Sequence, residues 1–238
     1  GHRRITGFNQ HGLKVLILTC RSIRHNRWHM NLSSHLWNEN QNLAEAALQN
    51  PFVQGILSGS LAKKNFSYYV SQDAFFLKAF ARAYIIAGAK APDWEDFIKL
   101  HQLAQGVLEE LKLHEKYARQ WGVNVHRVDP CAATRRYTDF VMATAWGYNT
   151  GLTVTALTPC MRLYAWLGQT LAAQSAGQHA YSDWIVTYSS SAIEALACNL
   201  ESLVDKYADP ADPLVEATYR YAMECERDFF QAAFEFAL

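Results

Sequence analysis

The sequence predicts an all-α, single-domain helical bundle, and three observations lead there. Apolar residues recur with helical period from Leu36 to the C-terminus, in long segments parted by short breaks rich in Pro, Gly, Asn and Asp. Nothing alternates with period two for long enough to make a sheet. Half of the 238 residues are hydrophobic and 13% are aromatic, which is ample for one packed core. Neither a low-complexity linker nor a repeat of solenoid period divides the chain.

Seven helices follow in order. The first, 36–50, stops ahead of a break at Gly55 to Ser60. The second, 63–89, sets Phe66, Tyr69, Val70, Phe76, Leu77, Phe80 and Tyr84 on one stripe. Ala91-Pro92-Asp93 separates it from the third, 94–120, which ends at the break Gly122 to Pro130. The fourth, 132–147, carries Tyr137, Phe140 and Val141 on one face. After Gly147 to Gly151 comes the fifth, 152–174, with Ala156, Cys160, Tyr164, Leu167 and Leu171 facing together. Ser175 to Gln178 parts it from the sixth, 181–206, which aligns Trp184, Ile185 and Tyr188. Ala208 to Pro213 precedes the last, 212–236.

Charge divides the chain unequally. Lys plus Arg equals Asp plus Glu at 22 each, so the whole is no polybasic nucleic-acid binder. Residues 1–29 nevertheless hold Arg3, Arg4, Lys14, Arg21, Arg24 and Arg27 and no acid, leaving a net charge of −6 on the remainder. This basic leader reads as tag, upstream or organelle-transit sequence and stands apart from the 30–238 helical domain. No run of ~18 apolar residues is present, so no spanning helix is expected. The five cysteines include no CxxC pair and are odd in number, which points to reduced thiols in a cytoplasmic-type compartment.

Two carboxylates fall on faces that should be buried. Asp73 lies on the stripe of the second helix, seven residues from both Phe66 and Phe80. Glu226 shares a face with Met223, Phe230 and Ala233, whereas Glu224, Arg227 and Asp228 can point outward. Each could be a structural ion pair, or both could face one cavity at the centre of the bundle. In the fifth helix Pro159 removes a backbone donor and frees the carbonyl of Thr155 beside Cys160, with Tyr164 one turn on. A buried cysteine alone is commonly a small hydrophobe. None of the nine histidines has a glutamate three positions before it, which excludes a di-iron carboxylate bundle. Haem ligation by a histidine stays open. GxGxxG, Walker A, GxSxG and HExxH are all missing.

Over roughly 34–236 the chain resembles the TenA family of thiamin-salvage enzymes (thiaminase II). The residues that carry the resemblance are Pro51 to Ile56, Tyr68-Tyr69-Val70-Ser71-Gln72-Asp73-Ala74-Phe75-Phe76-Leu77, Arg136-Tyr137-Thr138, Thr158 to Gly168, Trp184 to Ser189 and Glu226 to Ala233. The stretches 133–145 and 158–167 are similar to the TenA half of plant fusions with a phosphatase domain. The resemblance implies a haem-oxygenase-like fold, a homotetramer, a small aminopyrimidine substrate, and no metal or other cofactor. It makes Cys160 the active-site thiol of the cysteine-containing branch and Glu226 the acid/base for the departing amine. Asp73 would take the pyrimidine's ring nitrogen and 4-amino group. Tyr137, Tyr164 and Tyr188 would line the pocket, and Phe76 would stack on the ring where some members have tyrosine. Asn50 departs from a histidine found in some relatives.

That set suits hydrolysis of 4-amino-5-aminomethyl-2-methylpyrimidine, or of thiamin, to 4-amino-5-hydroxymethyl-2-methylpyrimidine. A thiolate adding to the ring interrupts aromaticity and lets the exocyclic methylene expel its amine. Asp73 would stabilise the charge that develops, and a desolvated glutamate with a raised pKa can protonate the leaving group and then activate water. Two alternatives share the fold: a pyrimidine- or thiamin-binding regulator without turnover, and a haem- or cofactor-handling relative.

Overall fold

A computed structural model describes residues 31–121 and 128–236. The basic leader at 1–29, Cys20 and residues 122–127 of the break at Gly122 to Pro130 lie outside the described residues. The described chain forms ten helices and no strand: α1 (Leu32–Glu39), α2 (Gln41–Leu48), α3 (Pro51–Ser58), α4 (Lys63–Lys90), α5 (Trp94–Trp121), α6 (Ala132–Gly147), α7 (Thr150–Gln174), α8 (Ser182–Tyr188), α9 (Ser191–Tyr207) and α10 (Pro213–Glu235). One continuous core runs through them, with Leu36, Phe52, Tyr69, Phe80, Leu157, Leu200 and Phe230 all buried.

Three of the seven expected helices need correction, each for a local reason. The first starts at Leu32 and divides at Asn40, whose side chain turns back to donate to the carbonyl of Leu36 at 2.8 Å. The break expected at Gly55 to Ser60 is mostly helical. Asn50 caps α3 by accepting from the Phe52 amide at 2.9 Å, Pro51 fits the first turn, and Gly59 ends the helix at φ +71°. The sixth expected helix splits into α8 and α9, because Ser190 turns its hydroxyl onto the Ile193 amide and starts a new cap. At α7 the cap is Asn149, so the helix begins at Thr150 rather than 152 and continues through Pro159 unbroken.

A few polar contacts fix how these elements sit. Asn65 of α4 donates to the carbonyls of Ala233 and Phe234 at 2.9 and 2.7 Å, closing the end of α10. Counting from that pin, Asp73 lies eight residues along α4 and Glu226 seven back along α10, about 12 and 10.5 Å of helix, so the two acids come level. Lys90 caps α6 with bonds to the carbonyls of Ala145, Trp146 and Tyr148 at 2.6, 3.0 and 2.7 Å. Fully buried Asp96 of α5 takes Lys99, Lys206 and Tyr207 and ties α5 to α9.

Candidate active site

The site is built where α4, α6, α7, α8 and α10 meet. α4 brings Tyr69, Asp73 and Phe76 on its buried face, as the stripe of the sequence predicts. α10 brings Glu226 with Phe229 and Phe230, and α6 brings Tyr137. α7 carries Cys160 and, one turn on, Tyr164. Residues 150–159 of α7 are all buried, yet Cys160 keeps some accessible surface, so solvent-sized space adjoins it there.

Glu226 is 2% exposed and is the hub. Tyr137 Oη donates to its Oε1 at 2.7 Å, and the Cys160 thiol lies close enough for the two groups to act on each other's ionisation. Burial raises the carboxyl to a pKa of about 7. The bond from Tyr137 and the nearby Cys160 thiol work against that rise, and the charge of Asp73 adds to it.

Cys160 is pushed well above the usual thiol range. Burial is the largest cause, because the sulfur is densely surrounded by protein, and the charges of Glu226, Asp73 and Glu110 follow. A free thiolate is thus not the resting form at neutral pH. A protonated thiol beside a carboxyl group that titrates near neutrality is.

Aromatic side chains form the walls. Phe76 packs on Tyr137 with ring centroids 4.6 Å apart, and on Phe80 at 5.0 Å. Tyr164 meets Tyr188 edge to face at 4.9 Å and Phe230 at 5.5 Å. The hydroxyls are ordered in a series: Trp184 Nε1 donates to Tyr69 Oη at 3.4 Å, and Tyr69 Oη donates to Tyr164 Oη at 3.2 Å. Tyr164, having accepted, keeps its own proton for another acceptor. Burial raises Tyr69, Tyr137, Tyr164 and Tyr188 well above the ordinary phenol value, so all four stay protonated.

All seven residues singled out from the sequence, Asp73, Phe76, Tyr137, Cys160, Tyr164, Tyr188 and Glu226, thus belong to this one region. The sequence reading passed over Tyr69, Trp184 and Glu110 as participants. Glu110 of α5 accepts from Tyr188 Oη at 2.8 Å. Its signal was legible, since it continues the buried α5 stripe of Leu100, Leu103 and Val107 at helical spacing. Asn50 serves the fold, capping α3 and donating to Gln231 Oε1 at 2.9 Å. Among the described residues no group of three His, Cys, Asp or Glu could hold a metal ion, and no helix is long and apolar enough to cross a membrane.

Comparison with known proteins places this geometry among relatives. The model of the TENA/THI-4/PQQC family matches residues 37–235. The "Bifunctional TH2 protein, mitochondrial" of Arabidopsis thaliana is 35% identical over 228 residues, a match covering 84% of this chain and 37% of that one. The chain therefore spans little more than a third of the plant protein's length. The aminopyrimidine aminohydrolase of Halalkalibacterium halodurans is 30% identical over 185 residues, covering 75% of this chain and 83% of that protein. Among solved structures, a TenA homologue from P. horikoshii OT3 superposes with a TM-score of 0.81 at 22% identity over 87% of this chain and 99% of that one. A domain with a heme oxygenase-like fold from Shewanella denitrificans does so at 0.69 and 11% identity, over 85% and 93%; the bundle has that fold.

Proposed function

Because the chain belongs to the TENA/THI-4/PQQC family, we propose that it is a thiamin-salvage hydrolase. In this reading it converts 4-amino-5-aminomethyl-2-methylpyrimidine, and more slowly thiamin, to 4-amino-5-hydroxymethyl-2-methylpyrimidine. The aminohydrolase relative supports the substrate class. The observation that carries the chemistry is buried Glu226, bonded to Tyr137 and set beside the Cys160 thiol.

The substrate ring lies against Phe76 and the tyrosine walls, which exclude bulk water. Asp73 pairs with the 4-amino group and with a protonated ring nitrogen, and the ring cation held in this way takes up the electron pair that the sulfur delivers. As sulfur bonds to the ring carbon, Glu226 takes the thiol proton. The carbon–nitrogen bond of the exocyclic methylene then breaks, ammonia departs from the protonated side-chain amine, and Glu226 passes it the thiol proton so that it leaves as ammonium. Water adds to the methylene and gives a proton to Glu226, and the sulfur leaves with the ring aromatic again. The balance is one water consumed and one ammonium released. Tyr137 keeps Glu226 aimed at the sulfur, and Tyr164 offers its free proton to a ring nitrogen.

The test is ammonia release from the aminomethylpyrimidine by the wild-type protein and by Cys160→Ser. A loss of at least about a thousandfold is expected, in line with removal of a covalent nucleophile. Equal rates would end the nucleophile role. A homotetramer, a cytoplasmic-type compartment and a 30–238 domain that works without residues 1–29 complete the proposal. The four described cysteines, 131, 160, 198 and 225, are free thiols, which suits a reducing compartment. Light scattering reads the assembly, and assay of a chain lacking residues 1–29 reads the domain boundary, with unchanged activity expected.

A further inference from the structure

Glu110 reaches the site from outside the helices that carry the expected residues. It stands on α5, a helix packed chiefly on α4, and its Oε1 receives the Tyr188 hydroxyl at 2.8 Å. Tyr188 ends α8, a helix of seven residues. Three contacts locate it: the backbone of α7 at Gly168, where an added Cβ would come within 2.3 Å of the Tyr188 carbonyl carbon, the Tyr164 ring at 4.9 Å, and Glu110. The first two fix where the helix end and the ring lie. Glu110 fixes the hydroxyl and its polarity.

With its one proton given to Glu110, Tyr188 Oη turns only lone pairs to the pocket. Tyr137 is in the same state, its hydroxyl donating to Glu226. These two hydroxyls therefore accept, and three carboxylates, Asp73, Glu110 and Glu226, act on the Cys160 sulfur. Such a wall is complementary to an N–H-rich cation and unfavourable to a neutral or anionic group of the same shape.

We infer that Glu110 is the positioning and specificity residue of this site: it holds Tyr188 as a hydrogen-bond acceptor and supplies the carboxylate by which the pocket prefers a pyrimidine with a protonated side-chain amine over its neutral hydroxyl counterpart. The inference rests on the aminopyrimidine reading above and adds the charge of the substrate and the residue that senses it. It also orders the reaction, because the product exchanges ammonium for hydroxyl and loses the attraction that held the substrate.

Calorimetric binding tests it in the Cys160→Ser background, which holds the ligand unreacted. The probes are 4-amino-5-aminomethyl-2-methylpyrimidine and 4-amino-5-hydroxymethyl-2-methylpyrimidine. Glu110→Gln keeps an acceptor for Tyr188 and removes only the charge. It is expected to raise the Kd of the aminomethyl compound about tenfold while leaving the hydroxymethyl compound within about twofold. Glu110→Ala removes the anchor too and is expected to weaken both. An unchanged ratio of the two constants in Glu110→Gln overturns the charge preference, and undiminished hydroxymethyl binding in Glu110→Ala overturns the positioning role. In either case turnover by wild type leaves the hydrolase reading intact. Failure of both pyrimidines to bind with Glu110 in place would overturn the two together.

Discussion

Glu226 shows how one side chain can be set for acid and base work by what surrounds it. Burial lifts it to about 7, while the Tyr137 hydroxyl bond holds it below where burial alone would leave it. Tyr137→Phe removes that bond and adds no new group. The acid limb of the pH profile of kcat/KM should therefore move to higher pH, with rate lost at neutrality, and steady-state assays between pH 5 and 9 would read the shift. A limb that stays in place would mean that Glu226 is not the titrating group. Asp73 and Glu226 were legible in the sequence because a carboxylate on an apolar stripe breaks a simple rule. Tyr69 and Trp184 were not, because both satisfy that rule: they read as core, and only their distances reveal that Trp184 donates a hydrogen bond to Tyr69 and Tyr69 one to Tyr164.

At the scale of elements, close backbone approach decides where the walls stand. A Cβ on Gly168 would lie 2.3 Å from the carbonyl carbon of Tyr188, so Gly168→Ala must push α8 away from α7. The expected outcome is a loss of stability of about 2 to 3 kcal/mol, together with a raised KM, as Tyr188 leaves both Tyr164 and Glu110. Gly106 in α5 is the internal comparison, with nothing within 4 Å of its added Cβ, and Gly106→Ala should stabilise by about 1 kcal/mol. Urea denaturation of both variants would check the pair, and a harmless Gly168→Ala would contradict the packing. Three of the helix starts that the sequence misplaced turn on caps. Asn50, Ser190 and Asn149 each accept from an amide two or three residues on, and such a bond depends on one side-chain rotamer rather than on apolar period.

For the whole molecule, the buried site costs stability in a pH-dependent way. Glu226 has an ordinary value of 4.5 and a folded value of about 7, so the folded state binds the extra proton between these limits. Stability from this group is fully present below about pH 4.5 and is lost as pH rises through 7. Glu226→Gln lacks the ionisation and should gain up to about 3 kcal/mol relative to wild type between pH 4.5 and pH 8. Chemical denaturation at the two pH values measures it, and a constant difference would refute it. Apolar period and composition were sufficient for the all-α bundle, because burying a stripe on every helix leaves few alternatives to packing helix on helix. The residues of the matched motifs, from Asp73 to Glu226, were sufficient to nominate a site. Which groups touch was decided by the tertiary structure alone. A hydrogen bond extends about 3 Å, and the pairs Tyr137–Glu226 and Tyr188–Glu110 are separated by 89 and 78 residues. No local preference spans that distance; only the packed register of one helix against another brings such atoms within reach.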